Sequence, residues 1–125
     1  MNYFAYMDTF NHKYYKEMWA RKYNLETAVI LAEMEQQMSA LTSSGDNCWE
    51  GETWIITSPE RFQALYFPYI ALEDVENAFY QLVSDGVLIE NEFRACVNGC
   101  LAYRFDIERM TEIANEDYRD NLKNY

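Results

Sequence analysis

The sequence predicts an α+β fold, mostly helical, in which two consecutive helices run into a small antiparallel sheet. Three stretches carry this expectation. Residues 72–90, LEDVENAFYQLVSDGVLIE, place Leu72, Val75, Phe79, Leu82 and Val83 at helical three-four spacing. They then stop at Asp85-Gly86 and resume as the strand-like run Val87, Leu88 and Ile89. Upstream, Ser58-Pro59-Glu60 is a helix start, with a capping hydroxyl and Pro in the first turn. Downstream, Asn98-Gly99 lies between two strand-like runs, the strongest short-range hairpin signal.

In chain order, residues 8–23 read as a helix with Phe10, Tyr14 and Met18 at four-residue steps. The segment is dense in aromatics (Tyr3, Phe4, Tyr6, Tyr15, Trp19 and Tyr23 among them), which favours packing onto the domain or onto a second copy, a homodimer. Asn24 is an N-cap for a second helix over residues 25–41, with Glu26 in its first turn. Apolar groups from Leu25 through Ala28, Val29, Ile30, Leu31 and Ala32 surround most of that helix, which makes it the central one. Met34 and Met38 are read as flexible core filler rather than as ligands.

Residues 42–52, TSSGDNCWEGE, read as a polar, solvated loop without the alternating acidic pattern of a calcium site. TWIIT, residues 53–57, is a short strand by composition. The helix PERFQALY follows and breaks at Phe67-Pro68, so residues 58–84 form helix, turn, helix. Strands are expected over residues 87–93 and 101–107, the latter with Leu101, Tyr103, Phe105 and Ile107 on one face. An acidic helix with a seam of Ile107, Met110, Ile113 and Ala114 closes the chain.

Composition bounds the rest. A chain of 125 residues that is 50% hydrophobic and 17% aromatic is expected to fold around one core. We divide it into an aromatic, basic N-terminal helix (1–24), a core (25–107) and an acidic C-terminal helix (108–125). No run approaches about eighteen uncharged apolar residues, and the start has no basic segment leading into a long apolar one. Neither a membrane partner nor a signal peptide is therefore expected. Three cysteines at no framework spacing agree with a cytoplasmic protein.

The net charge of −11 repels polyanions on average, and its distribution is uneven. Residues 25–52 carry six acids (Glu26, Glu33, Glu35, Asp46, Glu50, Glu52) and no Lys or Arg. Residues 71–90 carry five (Glu73, Asp74, Glu76, Asp85, Glu90), again without a cation. Positive charge gathers in Lys13, Lys16, Arg21 and Lys22, with Arg94 and Arg104 near the hairpin.

The element order is that of a winged helix-turn-helix with an extra helix at each end. More narrowly, residues 25–113 resemble the winged-helix N-terminal domain of phage replication initiators and DnaD-like replisome organisers. The residues that carry the resemblance are the Ala28-containing central helix, TWIITSPERF, Phe67-Pro68 before ALEDVENAFYQLVSDGVLIE, and Tyr103 to Phe105 leading into Asp106-Ile107. The resemblance implies a DNA-binding fold whose second helix reads the groove. In that family this helix opens with a Ser or Thr cap followed by Arg and Lys, whereas this chain has Ala71-Leu72-Glu73-Asp74-Val75-Glu76.

Catalytic constellations are missing. His12 is the sole histidine, Cys96 and Cys100 are read as free thiols, and no phosphate-cradling glycine loop or nucleophile elbow occurs. No cofactor or metal is expected, and the chain is read as no enzyme. The expected function is docking on a basic surface of a nucleic-acid-binding host protein, as a phage-type inhibitor of host defence, DNA-mimicking or anti-CRISPR-like in mode. Glu73, Asp74, Glu76, Asn77, Tyr80, Gln81, Asp46, Glu50 and Glu52 would carry the contact. The alternative is a winged-helix replication initiator or transcriptional regulator that holds DNA through Lys13, Lys16, Arg21, Lys22, Arg94 and Arg104.

Overall fold

Helix α2 (Leu25–Ser44) is the longest element of the computed structural model, which describes residues 15–123. Asn24 starts it as expected, its side-chain oxygen accepting from the Thr27 amide at 2.8 Å. Ala28, Ile30, Leu31, Ala32 and Met34 are buried around its circumference, whereas Leu25 in the first turn is exposed. The remaining described elements are α1 (Glu17–Lys22), β1 (Cys48–Trp49), β2 (Glu52–Thr53), β3 (Ile55–Thr57), α3 (Pro59–Tyr66), α4 (Leu72–Ser84), β4 (Leu88–Asn91), β5 (Leu101–Phe105) and α5 (Ile107–Lys123). They form an α+β arrangement with two small antiparallel sheets, β1-β2 and β3-β5-β4.

The pair α3 and α4 forms as the sequence predicts. Ser58 caps α3 by accepting from the Arg61 amide at 3.2 Å, and the helix ends at Phe67 before Pro68. The turn is held by the Ile70 amide donating to the Phe67 carbonyl and by Gln63 Nε2 donating to the Ile70 carbonyl. Phe62 bridges the two helices edge-on to Phe79 at 5.5 Å, and Phe79 meets Tyr103 of β5 at 5.3 Å. Helix, turn, helix and sheet thereby share one aromatic core.

Helix α4 ends at Gly86, whose φ of +79° is the left-handed position that glycine adopts without a Cβ penalty. The Gly86 amide donates to the Val83 carbonyl and the Val87 amide to that of Leu82, the paired bonds of a Schellman ending. Arg109 Nε from α5 donates to the Asp85 carbonyl at 2.8 Å, a cation at the negative end of a helix with no basic residue in its own last turn.

Several expectations are corrected. The helix over residues 8–23 does not run through Tyr15 and Lys16: Lys16 is extended and precedes α1, and its ammonium reaches Glu35 of α2 at 3.3 Å. Residues 8–14 lie outside the described residues. The loop over residues 42–52 contains one more helical turn and a hairpin. Helix α2 continues to Ser44, Gly45 caps it at φ +76°, and β1 pairs with β2. Glu50 (φ +56°) and Gly51 (φ +75°) supply the two left-handed positions of a tight hairpin turn. The strand over residues 53–57 is interrupted at Trp54, which is buried and whose Nε1 donates to the Trp49 carbonyl.

Asn98-Gly99 does form a turn, closed by the Cys100 amide on the Val97 carbonyl, but it sits inside a nine-residue connection rather than between paired strands. A second turn, closed by the Cys96 amide on the Phe93 carbonyl, takes up the intervening residues, so β4 stops at Asn91 and β5 begins at Leu101. Ile107 and Leu72, placed on buried seams by periodicity, are 65% and 37% exposed. Each is the first residue of its helix, before the helix has turned its apolar face to the core. Ala78 is buried on α4 in addition, and Ile113 is buried on α5 as expected.

Candidate functional site

The outward side of α4 is built by the same periodicity that builds its core side. Val75, Ala78, Phe79 and Leu82 are buried, which leaves Glu73, Asp74, Glu76, Asn77, Tyr80 and Gln81 exposed. Glu73, Glu76, Asn77 and Tyr80 are three, four and seven apart and form one row along the helix. Tyr80 is 77% exposed, with no ring partner among the described residues. Its N-cap, Ala71, makes no side-chain hydrogen bond, so Glu73 and Asp74 have a local role in offsetting the positive end of the helix. Glu76, one turn further on, has no such role.

Beside this row runs a groove of about 560 Å³ between α4, the start of α3 and the β4-β5 pair. Glu76, Asn77 and Tyr80 line one wall, and Glu90 and Tyr103 the other, with Phe79 and Val83 beneath. Glu90 and Tyr103 are directly opposed across the β4-β5 ladder. Burial, and then the neighbouring Glu90 carboxylate, raise the Tyr103 phenol above its ordinary value, so it stays neutral. Glu90 and Tyr103 are not legible as site residues in the sequence. Strand alternation puts Tyr103 on a buried face, but only the register of β4 on β5 brings Glu90 to it.

The acids of residues 46–52 do not join this face. Tyr103 points towards Phe79 of α4, so its strand neighbour Arg104 projects from the opposite side of the sheet. There the Arg104 guanidinium lies 5.4 Å from the Trp54 ring, and Trp54 and Trp49 both pack on Phe93. The β1-β2 hairpin bearing Glu50 and Glu52 belongs to this cluster behind the sheet. Asp46, near the end of α2, accepts from the Ser44 hydroxyl at 3.0 Å. The expected nine-residue contact set is thus split between two surfaces.

The cations of the alternative nucleic-acid surface are dispersed too, and most are engaged. Lys16 pairs with Glu35, and Arg21 with Asp117 at 2.8 Å and Glu17 at 3.4 Å. The hydrogen bond to Asp117 raises the Arg21 pKa further. Lys22 lies over the Tyr23 ring at 5.5 Å, Arg104 stacks on Trp54, and Arg94 is exposed on the β4-β5 connection. Lys13 and His12 lie outside the described residues, as do Tyr3, Phe4, Tyr6, Phe10 and Tyr14.

The three cysteines are free thiols, Cys48 exposed and Cys96 and Cys100 half-buried. Cys96 Sγ accepts from the Phe93 amide at 3.4 Å, a structural use within a turn. Among the described residues no three His, Cys, Asp or Glu side chains are grouped to hold a metal ion. No described helix is long and apolar enough to cross a membrane. No family model, curated protein or solved structure matches the chain.

Proposed function

We propose that this chain is a non-catalytic docking module of winged-helix type that binds a basic surface of a nucleic-acid-handling protein. The observation that carries the reading is the outward face of α4, which presents Glu73, Asp74, Glu76, Asn77, Tyr80 and Gln81 without one cation. The succession of α2, β3, α3, α4, β4 and β5, with sheet order β3-β5-β4, suits a winged helix, in which α4 stands where a groove-reading helix would. The resemblance to phage replication initiators and DnaD-like organisers rests on sequence stretches such as TWIITSPERF and is part of the same proposal.

Charge favours a protein over DNA as the target. Each phosphate contact by Lys or Arg contributes about −0.9 to the salt slope of binding, and α4 offers no such contact. Its carboxylates are instead acceptors for Arg and Lys, and Tyr80 is an exposed aromatic of the type that anchors interfaces. The concrete form is an inhibitor that occupies a nucleic-acid channel by presenting carboxylates where phosphates would lie. Small phage-type inhibitors of host defence, anti-CRISPR proteins included, are the class this mode suggests.

The test compares the wild-type chain with Glu73→Lys/Asp74→Lys in affinity capture from a bacterial lysate, beside a duplex DNA titration. Capture of nucleic-acid-binding proteins by the wild type, lost in the variant, is the expected result. Glu73→Gln/Asp74→Asn controls for the helix end. Saturable duplex binding by the wild type at physiological salt would refute the reading and favour the DNA-binding alternative.

A further inference from the structure

The groove beside α4 has a composition that the charge of the helix face alone does not account for. Its volume of about 560 Å³ falls in the range of ~300–1,000 Å³ typical of sites for small groups. Pro59, Phe79, Val83 and Tyr103 give it apolar and aromatic walls, and Glu76 and Glu90 put two carboxylates along it. Neither carboxylate is ion-paired among the described residues, and no lining residue is cationic. Tyr80, at the rim, offers an open ring face.

We propose that this groove takes an arginine side chain on an extended segment of a basic protein partner, the guanidinium lying on the Tyr80 ring and donating to the Glu76 and Glu90 carboxylates. The proposal rests on the docking reading above and names the contact that would give it specificity. Charge complementarity selects a cation, and an open aromatic ring beside two acceptors selects a planar one. A guanidinium presents five donors in a fixed fork and stacks on aromatic faces, whereas an ammonium is a compact and strongly hydrated point charge. Tyr103 is a neutral wall throughout the physiological range, since burial and Glu90 oppose its ionisation.

The experiment is an NMR titration of the isotope-labelled full chain with the peptide acetyl-Gly-Arg-Gly-amide and with its lysine and citrulline counterparts. Saturable shifts confined to Glu76, Asn77, Tyr80, Glu90 and Tyr103 are expected with arginine. The lysine peptide is expected to bind at least fivefold more weakly, and the citrulline peptide, which lacks the charge, not at all at the same concentrations. Tyr80→Ala and Glu76→Gln/Glu90→Gln should each weaken the arginine peptide fivefold or more. All three residues are exposed, so an unchanged circular dichroism spectrum is expected with them.

Shifts spread equally over Asp46, Glu50 and Glu116, lysine binding as tight as arginine, or variants that bind like wild type would each overturn the proposal. Glu73 and Asp74 do not line the groove, which separates the two readings. A flat peptide titration, with lysate capture still dependent on Glu73 and Asp74, removes the arginine groove and leaves the docking face. A saturable arginine titration with no captured protein keeps the groove and removes the docking reading.

Discussion

Tyr103→Phe should make the protein more resistant to alkali. The phenol is 4% exposed, and burial together with Glu90 raises its pKa above the usual 10.0. A raised folded-state value means that the unfolded chain loses this proton first. Its stabilisation is complete below pH 10 and is lost as pH climbs towards the folded pKa. Each pH unit in that window corresponds to about 1.4 kcal/mol, so about 1.4 kcal/mol should disappear between pH 9 and pH 11 through this residue. Urea unfolding of wild type and variant at pH 8, 9, 10 and 11 measures it, since lysine and cysteine titration is common to both. Removing the hydroxyl shifts the variant's stability by a constant amount, but its decline between pH 9 and 11 should be shallower by that 1.4 kcal/mol. Equal slopes would refute the burial argument. Tyr23→Phe should act in the same direction, because burial and then Asp85 raise its phenol as well.

Three further outcomes can be measured by denaturant unfolding. Phe79→Ala removes the ring between Phe62 and Tyr103 and should cost about 3–5 kcal/mol. Ala71→Asp provides the acceptor that the start of α4 lacks, in a residue already extended at φ −61° and ψ 140°, and should stabilise by about 1 kcal/mol. Gly86→Ala should cost about 1–2 kcal/mol from backbone strain at φ +79° alone, because the nearest side-chain atom to an added Cβ, Arg109 Cγ at 3.7 Å, is at ordinary contact distance.

Helices with their own punctuation were readable from the sequence. Asn24, Ser58-Pro59 and Asp85-Gly86 each mark a helix end by local chemistry, and α2, α3 and α4 begin or stop there. Where the chain changes geometry without such punctuation, local pattern carries no signal. Lys16 leaves helical geometry beside Glu35, and Trp54 breaks a strand to bury its indole against Arg104 and Phe93. The hairpin at Glu50-Gly51 carries no local signal, because a left-handed glutamate is uncommon. Asn98-Gly99 fixes a turn, not the strands on either side. The same limit applies to the candidate site. The exposed row on α4 follows from periodicity, whereas the groove depends on strand register and on which side of the sheet each acid emerges.

The position of the tryptophans has a practical consequence. The chain has three: Trp19 is buried in the core, and Trp49 and Trp54 pack with Phe93 behind the sheet. None lies on the outward face of α4, so indole emission senses the loss of native packing and is blind to a ligand arriving there. Intrinsic fluorescence is therefore a clean folding gauge in this protein, and occupancy needs a reporter of its own, for which the ring protons of Tyr80 are the natural choice.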